Sequence, residues 1–124
     1  SGDSVSDAES VATALALTHE CVVAITGQVD FVTDGTRAAR ISGGSDIMPM
    51  ITAMGCSLTA LMGVFVAVAP PLEATVTALA MFAEAGALAA QTANGPGSFQ
   101  VAFLDALSQI KPVDLASDAR VQWL

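Results

Sequence analysis

The sequence predicts an α/β fold, and three observations predict it. A stretch of helical period is followed at once by Cys21-Val22-Val23-Ala24-Ile25, a continuous apolar run of strand length. Runs of this kind are covered on both faces in α/β sheets. An Asp34-Gly35 pair then separates two short strand-like runs, a hairpin signal. Beyond them lie long segments rich in alanine and leucine at helical spacing.

Asp3 or Ser4 can cap a first helix that runs to about His19, with Val5, Ala8, Val11, Ala12, Leu15 and Ala16 on its inner face. His19 then suits the negative end of the helix dipole. Cys21 opens the apolar strand, where packing explains it. Thr26-Gly27-Gln28 reads as a turn into a second strand, Val29–Thr33, in which Asp30 is expected to alternate outward into solvent. Residues 36–41 return as a third strand, and Ser42-Gly43-Gly44-Ser45-Asp46 is a loop. A buried helix is expected over 55–69, with Leu58, Leu61, Met62, Phe65 and Val68 inward and a small-residue face of Ala60, Gly63 and Ala67. Pro70-Pro71 breaks the chain, and Pro71 suits the first turn of a helix over 72–92 that points Val76, Leu79, Phe82 and Ala83 inward. Asn94-Gly95-Pro96-Gly97-Ser98 stops it, with Ser98 as N-cap of a last helix over 99–107. No element is predicted after Ile110.

No repeat or linker divides residues 1–124, so one unit is expected. Its inventory is lopsided. A strand buried on both faces needs neighbours in a sheet, and only the hairpin is available to pair with it. The chain is therefore expected to be a piece of a larger domain, and its opening on Ser1-Gly2-Asp3 rather than methionine agrees.

Composition narrows the function. Hydrophobic residues make up 53% and charged residues 13%, which excludes a disordered tail or a coiled coil. The net charge is −8, with only Arg37, Arg40, Lys111 and Arg120 on the basic side, so a nucleic-acid partner is not expected. Cys21 and Cys56 form no CxxC pair, which fits reduced thiols and a cytoplasmic location. Residues 47–72 carry no charge, but prolines and glycines leave an unbroken helix of only ~22 Å over 55–69, short of a ~30 Å hydrocarbon core. No membrane span is expected there.

The candidate chemistry lies at two places. Gly55-Cys56 opens a helix, where unpartnered amides and the dipole favour an anion such as a phosphoryl group. A cysteine in that field has its thiolate stabilised and can take a proton from an alcohol or attack as a nucleophile. Packing at the start of a core helix is the competing account of Cys56. Thr26-Gly27 ends the apolar strand, at the sheet edge where α/β folds bind ligands, and its hydroxyl and amide could hold a phosphate. An ordinary strand-to-hairpin turn is the competing account there. There is no Ser-His-Asp set, P-loop or GxGxxG, and the lone His19 is no metal site.

Three patches in order then carry a resemblance. "AITGQVDFVTDG" (residues 24–35) resembles the threonine-glycine hairpin block of bacterial hydroxyethylthiazole kinases. "MITAMGCSLTAL" (50–61) is similar to that family's glycine-threonine-glycine-cysteine block, and "GPGSF…FLDAL" (95–107) to its last helix. The similarity runs from about Ala8 to Ile110 and covers only the carboxyl-terminal half of the family's length.

The resemblance implies a ribokinase-like three-layer α/β/α fold, present here as a partial domain, and homotrimers with active sites at subunit interfaces. It implies transfer of the ATP γ-phosphoryl to the primary alcohol of 4-methyl-5-(2-hydroxyethyl)thiazole in thiamine biosynthesis. Carried over by position, Thr26 and Gly27 meet the nucleotide, and Cys56 stands where the wider superfamily has an aspartate base. The amides of Ala53, Met54, Gly55 and Cys56 form the anion hole, and Ala53 falls where a family glycine touches the thiazole.

The family's Mg2+-binding acidic residues would lie in the missing half, with no metal ligand in this one, so this chain alone is expected to be inactive. Ala53-Met54 departs from the family's glycine-threonine. A non-catalytic nucleotide-binding or interaction domain drifted at those positions is a competing reading. A related kinase of small alcohols, such as a hydroxymethylpyrimidine, is another.

Overall fold

The computed structural model describes residues 2–115 and 119–124. Four strands form one antiparallel sheet in chain order: β1 (Val23–Ile25), β2 (Val29–Thr33), β3 (Ala38–Ser42) and β4 (Val121–Trp123). The helices are α1 (Gly2–His19), α2 (Met54–Val66), α3 (Pro71–Thr92) and α4 (Pro96–Gln109), with short 3-10 turns at Met48–Met50 and Pro112–Leu115.

The sheet separates two layers of helix. On one side α1 packs against β1 and β2, burying Ala12 and Ala16. Both Arg40 guanidinium nitrogens that face Glu9 donate to its carboxylate, at 2.8 and 2.7 Å, and tie β3 to α1. On the other side Val32, Ala39 and Ile41 meet Leu72, Val76, Leu79, Ala80 and Ala83 of α3. α2 and α4 both pack against α3, and Leu58 and Met62 of α2 also reach the core between α3 and the sheet. Phe82, Phe99 and Phe103 form a second core, with Phe82 edge-on to Phe103 at 5.1 Å between ring centroids.

α3 is thus enclosed on several sides, and it is the helix predicted from Val76, Leu79, Phe82 and Ala83, all buried. Pro71 opens it as expected. By length and composition α3 alone among the described helices could cross a membrane, but 72% of its apolar window is buried inside the molecule.

Several expectations need correction. The β1 run was expected to be covered on both faces, yet it is an antiparallel edge strand with Ala24 exposed. Cys21 precedes that strand, is exposed, and donates its amide to the Ala16 carbonyl after Glu20 turns left-handed at φ 51°. α1 presents Val5, Val11 and Leu15 to solvent rather than to the core. α2 is shorter than expected and contains no fully buried residue. Leu58, Leu61, Met62 and Phe65 are half-buried toward α3, while Val68 lies beyond the helix and is exposed.

The β2–β3 connection is four residues, 34–37, because Thr33 pairs with Ala38. The Asp34 carboxylate accepts the amides of Thr36 and Arg37, so an Asx turn replaces the two-residue hairpin. α4 starts at Pro96 without a side-chain cap at Gly95, and Ser98 Oγ accepts the Asn94 amide instead. β4 was not expected. Its neighbour Arg120 pairs with Glu84 of α3 and accepts the Ser42 amide through its carbonyl, which seats the tail beside β3.

Candidate functional site

Strands β1 and β3 run toward the same end of the sheet, and β2 runs away from it. The turn after β1 and the loop after β3 therefore meet at that end. The N-terminus of α2 joins them, and together they line a cleft of about 1030 Å³. Thr26 and Gly27 form one wall, Gly43, Gly44 and Met48 another, and Ala53 to Cys56 a third. Leu79, Phe82 and Ala83 of α3 form an apolar floor. Thr26, Gly27 and residues 53–56, the candidate site residues, all line this one cleft.

The α2 start is built as an open helix end. Its first amide bond into the helix is Ser57 N–H to Ala53 C=O at 2.9 Å, and no side chain caps the residues before it. The first turn also lacks an acidic side chain, so the amide end of the dipole is uncompensated by the helix itself. Ala53 holds the left-handed conformation, φ 64° and ψ 15°, which turns the chain into the helix. That conformation costs a non-glycine residue about 1–2 kcal/mol. Cys56 is exposed rather than packed within a core of this chain.

The opposite wall differs from expectation in two ways. Gly27 N–H does not point free into the cleft, because Asp30 Oδ1 accepts it at 2.9 Å. Asp30 itself is not a solvated residue. It pairs across the sheet with Ile41 and shares the face of Val32, so it turns toward α3 and the cleft and is half-buried. Burial pushes its carboxyl above the ordinary aspartate range, and the Gly27 N–H offsets part of that rise. The signal was available in the strand alternation, since Asp30 and Val32 are two residues apart.

The loop after β3 is held by a close approach to α3. Met48 Sδ rests against Gly86, and Gly44 turns at φ 84° beside it. A side chain at Gly86 would displace the Met48 sulfur and touch the Gly44 backbone. Asp46 is the other carboxylate of the lining, and no arginine, lysine or histidine is among the described lining residues. Among the described residues no group of three or more His, Cys, Asp or Glu could hold a metal ion.

Comparison with known proteins decides the family. The hydroxyethylthiazole kinase family matches residues 1–112. The chain belongs to the hydroxyethylthiazole kinase family. It is 59% identical over 121 residues to the hydroxyethylthiazole kinase of Gemmatimonas aurantiaca, covering 98% of this chain and 44% of that protein. It is 56% identical over 120 residues to the hydroxyethylthiazole kinase of Roseobacter denitrificans, covering 97% and 47%. The solved hydroxyethylthiazole kinase of Pyrococcus horikoshii superposes with a TM-score of 0.90 at 35% identity, over 98% of this chain and 48% of that one. The ribokinase-like α/β fold of this family is thus present as a partial domain. This family member spans about half the length of the curated relatives it matches.

Proposed function

We propose that this chain is the carboxyl-terminal half of a kinase that transfers the ATP γ-phosphoryl group to the primary alcohol of 4-methyl-5-(2-hydroxyethyl)thiazole. One observation carries the reading: Thr26-Gly27 and Ala53 to Cys56, far apart in sequence, line the same cleft. Family membership supports the substrate class.

In this reading the Thr26 hydroxyl meets the nucleotide phosphates. The amides of 53–56 receive the charge that builds on the transferring group, a role that suits an uncapped helix N-terminus. Cys56 sulfur accepts the hydroxyl proton as the alcohol oxygen bonds to the γ-phosphorus. The bond from that phosphorus to the β–γ bridging oxygen breaks, and its electron pair leaves with ADP. Such transfer asks mainly for alignment and charge stabilisation, so a thiolate suffices as base. Ala53 borders the thiazole ring. Magnesium accompanies ATP in this reading, and its ligands are assigned to the other half of the full-length protein. A cytoplasmic homotrimer is proposed with it. Val64 and Val66, exposed at the far end of α2, and Val68 just beyond it suit contact with a further protein surface.

The test is Cys56→Ala in the full-length protein. Phosphorylation of the thiazole alcohol is expected to fall by at least about a hundredfold, the range of general-base contributions, with ATP binding kept. Unchanged turnover removes Cys56 from the mechanism. The strained Ala53, with Met54 lacking a hydroxyl, favours a second reading as a drifted, non-catalytic binding module. Calorimetry separates the two: binding of the alcohol without any ATP-dependent product supports the drifted module.

A further inference from the structure

The one polar side chain that reaches from β2 into the cleft wall has no part in the proposed transfer. Asp30 sits three residues after Gly27, and its Oδ1 closes the intervening turn by accepting the Gly27 amide at 2.9 Å. That bond takes the Gly27 N–H away from any ligand, so the wall offers the Thr26 hydroxyl rather than a glycine amide. The arrangement is costly to keep by accident. The carboxyl is half-buried on the face it shares with Val32, with no cationic side chain among the described lining residues to balance it.

Resting on the kinase reading above, we propose that Asp30 is a positioning residue for nucleotide binding, acting through the Gly27 amide to hold the 26–28 turn and so aim the Thr26 hydroxyl at the phosphates. It acts by accepting a hydrogen bond, not by its charge. An asparagine carries the same acceptor oxygen at the same place, whereas alanine leaves the turn unbraced.

The experiment compares Asp30→Ala, Asp30→Asn and Thr26→Ala in the full-length protein. Asp30→Ala is expected to raise the KM for ATP about tenfold, the loss of one hydrogen bond to a charged group, with kcat changed much less. Asp30→Asn is expected to recover most of that loss. In the Thr26→Ala background, Asp30→Ala should add little, because its effect passes through Thr26. An unchanged KM for ATP in Asp30→Ala overturns the proposal, as does equal impairment by alanine and asparagine, or full additivity with Thr26→Ala.

Should Asp30→Ala fail to fold, hydrogen exchange at the Gly27 amide of the unaltered protein decides: protection supports the brace, and exchange at the rate of a free loop amide overturns it. The Cys56→Ala result keeps the two ideas apart. Full turnover in Cys56→Ala sinks the catalytic reading whatever Asp30 does. Lost turnover beside a normal ATP KM in Asp30→Ala sinks only the brace.

Discussion

The thioether sulfur of Met48 lies against the backbone of Gly86, so close that a β-carbon at Gly86 would overlap it. The same β-carbon would also come within 3.4 Å of the Gly44 Cα. Gly86 is therefore a socket in α3 that seats the loop after β3, and that loop is one wall of the cleft.

This contact predicts a coupled pair of substitutions. Gly86→Ala gains roughly 1 kcal/mol of helix propensity but expels Met48 from its seat. Met48→Ala empties the space that the new methyl group needs. In urea denaturation the double variant should be more stable than the two single effects sum to, by about 0.5–1 kcal/mol. Strict additivity would mean that Met48 is not seated on α3.

Ala53 gives the second prediction. Its left-handed backbone strains any residue with a β-carbon, and Ala53→Gly relieves that strain. The variant should be more stable by about 1 kcal/mol, less the entropy that glycine returns to the unfolded chain. The denaturation midpoint should rise at constant m-value. A fall in midpoint would show that the turn into α2 is not strained.

The third prediction concerns acid. Hydrogen bonds from Arg40 hold the Glu9 carboxyl below its ordinary value of 4.5, so this pair contributes stability above that value. The contribution is lost as pH falls through the lower folded value. Asp30 has the opposite sign. Burial raises its carboxyl above 3.8, so its favourable contribution is complete below 3.8 and is lost as pH rises through the folded value. Denaturation curves at pH 3.5 and pH 7 separate them: Glu9→Gln should lower stability at pH 7 more than at pH 3.5, whereas Asp30→Asn should raise it at pH 7 and not at pH 3.5. A reversal of either sign would place those side chains differently. The Arg40 side chain is 39% exposed, so solvent screens the pair and its effect should be modest.

Much of this is legible in the sequence. The α3 face was readable because Val76, Leu79, Phe82 and Ala83 repeat at helical spacing and the helix is enclosed by neighbours. α1 was less readable, because its alanines Ala12 and Ala16, not its larger Val5, Val11 and Leu15, meet the sheet. Apolar character alone could not tell those faces apart. The β1 run calls for neighbours on both sides, and among the described residues it has one, β2.

The cleft followed the same division. Thr26 and Cys56 were identified by residue type beside a turn and a helix start, and both line it. Asp30, Met48 and Gly86 were missed because their roles depend on contacts made across the fold. Asp30 was set aside as solvated, although its spacing from Val32 already put it on the α3 side. β4 was out of reach, since Val121-Gln122-Trp123 is too short to carry a pattern.

The outermost position of β1 has a consequence for handling the protein. Among the described residues nothing pairs with the free edge of that strand, and Val22-Val23-Ala24-Ile25 contains neither a charge nor a proline to discourage a visitor. Chains of these 124 residues made by themselves carry a ready template for stacking on one another, and will collect as insoluble material during expression. Ala24 is exposed on the face it shares with Val32, so a lysine at that position is the gentlest gatekeeper to keep such chains apart.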